Sequence, residues 1–475
     1  MNLLIRYHLC AGLFILGFAT GCKKYLDVPL PISAIAGASV FENDNTSGAA
    51  LNSIYAALYN QGNFDGNGGV GYLTGVYGDE LRNLSILPSN LALYGDGVSS
   101  SIGGVTGQWT TLYNQLYSVN LGIESLTGAT GLTYKDQWLG EAYFLRGLIY
   151  FYLTNLYGDV PLVVSSNYQT NNTLARSAQT AVYAQIVSDL TQAQSLLSDV
   201  YHDGGGAVTT DRARPNRMAA TALLARVYLY NQEWPQAEVQ ADSVIANGAY
   251  QLTTPGQTFL VGSPELIWGI EPSYSIGTAY IEKDAVYYYI PPGTDPVSDG
   301  IAVCLSDSLL NAFEPGDARY TNWVGTDTVP ASGTIYHYAH KYQAIGTYTT
   351  AQESIALFRL AEQYLIRAEA RAEQGNLAGA ASDLNVVRTR AGLPATTAAT
   401  QVGLLLAIGK ERRVEFFTES GQRFFDLRRT GALDALMTSL APQKGGSWVS
   451  FKEWWPIPVT DIQNDTHLTQ TPGYQ

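Results

Sequence analysis

The sequence is poor in cysteine, and this scarcity limits how the fold can be held together. Its 475 residues contain three cysteines, Cys10, Cys22 and Cys304. Cys10 lies in an amino-terminal segment that we expect to be removed, and Cys22 lies at the end of that segment. Cys304 then stands alone, so no internal disulfide is expected and stability must come from packing. A lone cysteine is more often a small buried apolar residue than a reactive thiol.

Positive charge and long apolar runs are also scarce. The chain has 27 Lys and Arg against 41 Asp and Glu, a net charge of −14, and its basic residues form no cluster. An acidic surface repels phosphate backbones, which argues against nucleic-acid binding. After residue 21 no stretch approaches the roughly 20 apolar residues that a membrane-spanning helix needs.

Motifs of catalysis and metal binding are missing from the sequence. It contains no HExxH, no GxSxG and no Walker loop. His337 and His340 have no acidic or cysteine ligand beside them, so we expect no metal there. Gly66, Gly68 and Gly71 have the spacing of a dinucleotide fingerprint, but we expect neither the preceding strand nor the following helix that such glycines need. We therefore expect no cofactor. A glycosidase carboxylate pair cannot be recognised from sequence alone, because its signature is a separation in space.

The first 22 residues have the layout of a secretion signal that ends in a modified cysteine. Arg6 precedes an apolar run over residues 9–19, which is too short to span a bilayer and fits a signal peptide. Small residues then lead to Cys22. We expect residues 1–21 to be a signal peptide and Cys22 to be lipidated, and secretion without a lipid is the alternative. Acyl chains on Cys22 would hold the protein at a membrane.

Tyrosine and glycine are the residues in which the sequence is rich. It has 32 Tyr and 8 Trp against 14 Phe, and 47 Gly. Rings with a polar group suit half-buried positions, where one end meets water or a ligand. Two regions concentrate them, residues 61–107 and residues 250–350, and the second includes β-like runs at 286–290 and 334–338. We expect long aromatic-rich loops between helices.

Apolar residues recur at helical spacing through much of the rest of the chain. The predicted helices are 49–60, 109–126, 136–157, 178–197, 216–247, 353–373, 377–391 and 401–417. Two pairs share the register of a tetratricopeptide hairpin, one at Thr221, Leu224, Ala225, Tyr228, Ala237, Ala241 and Val244, the other at Tyr364, Ala368, Ala380, Leu384 and Val387. Generic antiparallel helix packing, which also favours alanine at crossings, is the alternative.

The densest charged stretch covers residues 411–429, where arginines alternate with Phe and carboxylates. We interpret it as a helix and turn whose ion pairs satisfy one another against the core. A site that grips an anion is the alternative.

Several motifs together resemble one known family. They are the segments 140–146, 157–162, 364–370, 383–392, 411–417, 421–429, 455–458 and 470–474, and they span the chain in the family's order. This pattern is similar to the SusD/RagB family of outer-membrane nutrient-binding lipoproteins. The resemblance implies a mainly α fold, with tetratricopeptide-like helical hairpins (an α-α superhelix) and a loop-rich, partly β ligand face.

The resemblance also implies an organisation and a partner. We divide the chain into a signal peptide (1–21), an amino-terminal region (22–215), a helical hairpin (216–249), a loop-rich ligand-face region (250–350) and a carboxy-terminal region (351–475). Family members capture glycans, and some capture peptides, for a TonB-dependent outer-membrane barrel of the SusC type. The implied protein is not an enzyme and is lipid-anchored at the outer membrane, exposed at the cell surface.

Candidate ligand contacts follow from the chemistry of sugars. A sugar packs C–H patches on aromatic faces and pairs its hydroxyls with Asp, Asn or Arg. We therefore select aromatic and polar residues of the two loop-rich regions, Asp79, Arg82, Tyr94, Tyr274, Tyr280 and Trp323. The segment 77–82, which contains Asp79 and Arg82, also resembles the family's segment near its ligand face. For each, the alternative is a loop anchored by its own buried side chain. Residues 287–289, all tyrosine, would alternate faces if extended, so at most part of this run could meet a ligand.

Three functions remain open at this point: a non-enzymatic nutrient-binding lid, a glycan-processing enzyme, and a structural tetratricopeptide-like scaffold without a small ligand. The sequence does not identify the ligand.

Overall fold

A computed structural model gives the fold, and the structure describes residues 40–272, 282–346 and 348–474. Its α-helices are α1 (Asp44–Asn60), α2 (Val70–Tyr77), α3 (Pro88–Tyr94), α4 (Gly103–Gly128), α5 (Lys135–Tyr157), α6 (Tyr168–Asn171), α7 (Gln179–Leu196), α8 (Arg217–Tyr230), α9 (Trp234–Ile245), α10 (Lys283–Tyr288), α11 (Asp307–Leu310), α12 (Ala318–Trp323), α13 (Leu360–Glu373), α14 (Leu377–Arg390), α15 (Gln401–Glu415), α16 (Gln422–Arg429), α17 (Leu433–Leu440) and α18 (Val459–Asn464). The mainly α fold class is confirmed.

The strands are short and pair in twos. They are β1 (Leu81–Asn83), β2 (Val160–Pro161), β3 (Arg176–Ser177), β4 (Tyr201–His202), β5 (Val208–Thr209), β6 (Leu266–Ile270), β7 (Val303–Leu305), β8 (Val324–Thr328), β9 (Ile335–Ala339) and β10 (Ile355–Arg359). The antiparallel pairs are β1 with β7, β2 with β3, β4 with β5, β6 with β10, and β8 with β9. These ladders fasten loops to the helical body.

The core is built around α5, which packs against α4 and α7. Phe144, Leu148 and Tyr152 are fully buried, as the almost uniformly apolar sequence of this segment predicts. Gly158 ends the helix with a φ of 74°, a conformation that a glycine adopts without strain. The predicted helix over residues 136–157 is therefore confirmed.

The two predicted hairpins form and stack. Helix α8 packs on α9, α13 on α14, and α9 on α13, so the pairs continue one another. The small residues at the crossings, Ala225, Ala237, Ala368 and Ala380, have no exposed surface, which lets the helix backbones approach closely. The tetratricopeptide-like register is thus confirmed, with the segment predicted as 216–247 divided into α8 and α9 by a turn.

The secondary structure predicted for two apolar runs is wrong. The tyrosine-rich run 286–290 was expected to be β-like, but α10 covers most of it, because Glu282 accepts a hydrogen bond from the Ala285 N–H (2.6 Å) and caps the helix. The predicted helix 353–373 begins with β10, whose partner β6 lies far away in the chain. The periodicity of a short apolar run does not distinguish a strand from a helix. Here the pairing with β6 determines that residues 355–359 form a strand.

The glycine-rich region 61–107 is more regular than its sequence suggested. It contains α2 and α3, and α2 begins directly after a short 3₁₀ turn at Gly66–Gly68. A helix therefore does follow these glycines, contrary to prediction. No strand precedes them within the described part of the region, so the spacing still does not form a dinucleotide fingerprint.

Among the described residues, no helix combines the length and the apolarity needed to cross a membrane.

Candidate ligand-binding cavity

A cavity of about 560 Å³ opens where the two loop-rich regions meet. Its volume lies in the range of small-ligand sites. Tyrosine, asparagine and serine provide most of its polar surface, and leucine, isoleucine and glycine fill the gaps. The lining residues are Asn67, Gly68, Tyr72, Leu73, Ser85, Leu87, Ser89, Asn90, Leu93, Ile102, Gly103, Gly104, Val286, Tyr287, Tyr289, Gly300, Ile301 and Ala302.

The β1–β7 ladder brings the two regions together. It pairs residues 81–83 with residues 303–305, and the Leu84 N–H then donates to the Ala302 carbonyl (2.7 Å) just beyond the strands. Segments that lie more than 200 residues apart in the sequence therefore form facing walls. The cavity is a product of this long-range pairing.

Helix α10 forms a wall of the cavity and rests against the glycine turn. Gly66 has a φ of 66°, and a Cβ there would lie 3.1 Å from the Tyr287 ring. Only glycine fits this contact without strain. The Tyr287 ring is 43% exposed while Tyr288 is buried, so part of the tyrosine run faces the cavity. This agrees with the limit set by the sequence, although the backbone is helical there and not extended.

Buried charges fix α10 from beneath. The Gly66 N–H donates to Asp284 Oδ1 (2.6 Å), and Lys283 Nζ lies 3.5 Å from Asp65 Oδ1. Lys283 also donates to the Tyr59 carbonyl. Burial raises the pKa of Asp65 to about 6, with Lys283 opposing the rise, and burial also raises the pKa of Asp284. These groups lie outside the lining of the cavity and hold its wall in place.

The cavity presents neutral polar groups. Asn67 and Ser89 are exposed and Asn90 is half-buried. In the part of the chain that the structure describes, their side chains have no hydrogen-bond partner, so their amides and hydroxyl are available to a ligand. Tyr287 and Tyr289 add rings with hydroxyl groups. This combination suits a neutral ligand with many hydroxyls and apolar ring faces.

Arg82 and Tyr94, two of the predicted contacts, lie beside the cavity. Arg82 is exposed, its Nε lies 3.3 Å from the Cys304 sulfur, and its guanidinium stacks over Tyr336 at 5.5 Å from the ring centroid. Burial raises the pKa of the Cys304 thiol, with Arg82 opposing it. Tyr94 ends α3 directly after the lining residue Leu93, and Lys444 Nζ lies 4.8 Å from its ring centroid. Neither residue is part of the cavity lining, and their contact with a ligand stays a prediction.

Asp79 and Trp323 require correction, because the structure buries both. Asp79 accepts from Arg423 Nε (3.0 Å) and Arg413 Nη2 (2.8 Å). Burial alone would raise the pKa of Asp79, but these two arginines hold it below its usual range. The Trp323 ring is fully buried and its Nε1 donates to the Pro255 carbonyl (2.7 Å). Their roles are structural.

The remaining predicted positions, Tyr274, Tyr280 and Cys22, lie outside the described residues.

The charged signature of residues 411–429 is structural, as interpreted from the sequence. Arg412 and Arg429 both pair with Asp426, at 2.6 and 2.7 Å, and Glu411 lies 2.6 Å from Arg319. These pairs are mostly buried and satisfy one another, which leaves little charge for an external anion. No group of His, Cys, Asp and Glu among residues 40–272, 282–346 and 348–474 has a geometry that could hold a metal ion.

The sequence predicted the regions that form the cavity but missed most of its polar lining. Asn67, Ser89 and Asn90 are not among the predicted contacts, and Tyr287 and Tyr289 enter the sequence prediction only as parts of the run 287–289. The available signal was the glycine turn at Gly66, which suggests close approach of another segment. Only the tertiary structure shows that the approaching segment is α10.

The structure thus combines stacked helical hairpins with a cavity formed by the two loop-rich regions. These features define a helical-repeat protein with a candidate binding site in its loops. A profile described as the SusD family matches residues 163–474, more than half of the chain. A second, described as starch-binding associating with outer membrane, matches residues 24–229. The protein therefore belongs to the SusD family.

Individual relatives agree with this assignment. SusD-like protein P2 of Formosa agariphila is 25% identical over 509 aligned residues, covering 94% of this chain and 95% of that protein. Starch-binding protein SusD of Bacteroides thetaiotaomicron is 38% identical over 132 residues, 27% of this chain and 23% of that protein. A solved laminarin-binding SusD-like protein superposes with a TM-score of 0.76 at 23% identity, covering 91% of this chain and all of that one. A SusD superfamily protein from Bacteroides vulgatus gives 0.76 at 22% identity, covering 91% and 99%.

Proposed function

We propose that this protein is a non-enzymatic glycan-binding lipoprotein of the outer membrane, and that it delivers its ligand to a TonB-dependent barrel of the SusC type. One observation carries the proposal: a cavity of about 560 Å³ whose lining combines exposed tyrosine with asparagine and serine. Its described lining includes no charged side chain, and thus no carboxylate pair for acid–base hydrolysis. The names of the starch-binding and laminarin-binding relatives support a glycan ligand.

We expect Tyr287→Ala to weaken glycan binding at least about tenfold, because a central exposed ring contributes about 2 kcal/mol or more at such sites. Isothermal titration with maltooligosaccharides and laminarin oligosaccharides measures the loss. The control is Tyr320→Ala, since Tyr320 is 36% exposed and does not line the cavity. Unchanged affinity in the Tyr287 variant, for a sugar that the wild type binds, would remove the cavity from the proposal.

The two other functions make different predictions in the same assay. An enzyme would release shorter products from a polysaccharide panel without any partner. A structural scaffold would bind neither glycan nor peptide and would still associate stably with a barrel. A peptide ligand, which some members of the family capture, would be detected by titrating a peptide mixture in place of the sugars.

The proposed anchor rests on Cys22 and is tested separately. We expect Cys22→Ala to move the protein out of the membrane fraction of the cells that produce it, because the thiol that accepts the acyl chains is lost. Cys304→Ala is the matched control, since Cys304 is buried and far from the amino terminus in sequence. A Cys22 variant that still sediments with membranes contradicts the anchor.

A further inference from the structure

A second hollow, which we name the α4 groove, shares no lining residue with the loop cavity. Its volume is about 390 Å³, again within the range of ligand sites. It is formed by the middle of α4, the segment after α5, α6 and the C-terminal α18. Its lining residues are Trp109, Tyr113, Tyr117, Pro161, Val163, Tyr168, Asn171, Asn172, Leu174, Asp461, Asn464, Asp465 and Leu468.

Three aromatic rings form a ladder along one side of the α4 groove. Trp109, Tyr113 and Tyr117 are four residues apart on α4, so they lie on one helix face. Their exposure increases along the helix: Trp109 is 2% exposed, Tyr113 is half-buried and Tyr117 is 50% exposed. The Trp109 and Tyr113 rings contact each other with centroids 4.6 Å apart. The ladder is anchored at one end and open at the other.

Hydrogen bonds hold this side and the opposite wall in fixed positions. Trp109 Nε1 donates to Asp461 Oδ2 (2.7 Å) and the Tyr113 hydroxyl donates to the Pro161 carbonyl (2.9 Å). Across the groove, Asn171 Nδ2 donates to the Ser165 carbonyl (2.8 Å), which secures α6. Tyr168 projects from α6 and is 67% exposed. Two exposed tyrosines thus flank one braced hollow, whereas exposed apolar groups scattered singly would need no explanation.

The polar groups of the α4 groove indicate the class of its ligand. Asn172 and Asn464 are exposed, and Asp461 and Asp465 provide carboxylates. None of the described lining residues is Lys or Arg, so an anionic ligand would meet repulsion without a counter-charge. Tyrosine faces with amide and carboxylate acceptors match a chain of neutral, hydroxyl-bearing rings.

We propose that the α4 groove is a second binding site for a neutral glycan chain. The proposal rests on the glycan-binding function proposed above and extends it to a second site. Gly103 and Gly104, at the first turn of α4, line the cavity, whereas Tyr117 lies about 20 Å further along the same helix at 1.5 Å per residue. A polysaccharide long enough to reach both sites would bind with higher avidity than a short oligosaccharide.

The experiment compares a polymer with a trisaccharide of the same sugar, using soluble starch with maltotriose and laminarin with laminaritriose. We expect the double variant Tyr117→Ala/Tyr168→Ala to bind the polymer at least about tenfold more weakly and the trisaccharide as wild type does. Tyr287→Ala should bind the trisaccharide at least about tenfold more weakly than the wild type and should still bind the polymer weakly through the α4 groove. Tyr320→Ala, which alters a partly exposed tyrosine outside both sites, is the control. Unfolding curves of all variants confirm that they fold.

The outcomes separate this site from the proposed function. If the double variant binds the polymer with wild-type affinity, the α4 groove is not a glycan site, and the cavity remains the only site proposed. If the protein binds dextran sulfate as tightly as it binds the neutral polymers, the assignment of the α4 groove to neutral glycans is wrong. Displacement of the polymer from the Tyr287 variant by a peptide mixture overturns the glycan assignment of the groove. If the wild type binds no neutral polymer or trisaccharide, both proposals fail.

Discussion

Arg359→Ala is expected to lower the free energy of unfolding by about 3–5 kcal/mol, because it removes the centre of a buried charge network. The Arg359 guanidinium is 2% exposed and lies 2.8 Å from Glu419 Oε2 and 3.0 Å from Glu265 Oε1, and it also donates to Glu415. Without Arg359, three carboxylates stay in the interior, and the remaining cations compensate only part of their negative charge. Arg359→Lys should lower the free energy of unfolding by less than Arg359→Ala does, because lysine keeps the positive charge and lacks only the forked geometry of the guanidinium.

The matched control for Arg359 is an arginine in an exposed ion pair. Arg217 lies 3.3 Å from Asp199, and the two side chains are 42% and 58% exposed. Water screens such a pair, so Arg217→Ala should cost at most about 1 kcal/mol. Urea unfolding followed by circular dichroism measures both variants. Equal losses in the two would show that burial of the network adds nothing.

Gly71→Ala is expected to destabilise the protein by about 3 kcal/mol, at the upper end of the cost of overpacking. Gly71 lies within α2, where alanine would ordinarily be favoured by up to about 1 kcal/mol. A Cβ at this position would, however, lie 2.1 Å from the Thr418 carbonyl oxygen, which is backbone and cannot rotate away. Thr418 lies in the turn between α15 and α16 with a φ of 60°, so the turn has little freedom to adjust.

Gly409→Ala provides a control of opposite sign. Gly409 also lies within a helix, α15, but a Cβ there meets nothing within 4 Å. Alanine should therefore raise the free energy of unfolding by about 0.5–1 kcal/mol through helix propensity alone. Thermal and urea unfolding of both variants give the comparison. A destabilised Gly409 variant, or an unaffected Gly71 variant, contradicts the account of close packing between α2 and the turn.

The helical body was the part of the fold most open to prediction. In the hairpins, apolar residues at helical spacing and alanines such as Ala225 and Ala380 are local signals, and each hairpin is formed by neighbours in the sequence. By contrast, β10 was predicted as helix because its partner β6 is distant, and short apolar runs are ambiguous without a partner. The run at 286–290 shows the same limit, since the cap at Glu282 overrode its β-like composition.

The candidate site was open to prediction by region but not by residue. Two stretches of tyrosine and glycine were expected to supply the ligand face, and both line the cavity. Within them, the indole of Trp323 is buried while Tyr287 faces outward. A ring in a loop can anchor the loop or meet a ligand, and nothing in the local sequence separates these uses. Packing against other segments decides which occurs.

Helical periodicity and the family motifs are properties of the linear sequence, and they determined the class of fold. The scarcity of cysteine and of basic residues, also read from the sequence, argues against an internal disulfide and against nucleic-acid binding. The sequence also motivates the proposed lipid at Cys22. Only the tertiary structure decided that residues 81–83 pair with residues 303–305, that Arg359 is surrounded by carboxylates, and that Tyr117 and Tyr168 flank one groove. The reason is physical: periodicity reflects neighbours within one helix, whereas a cavity is formed where segments distant in sequence come into contact.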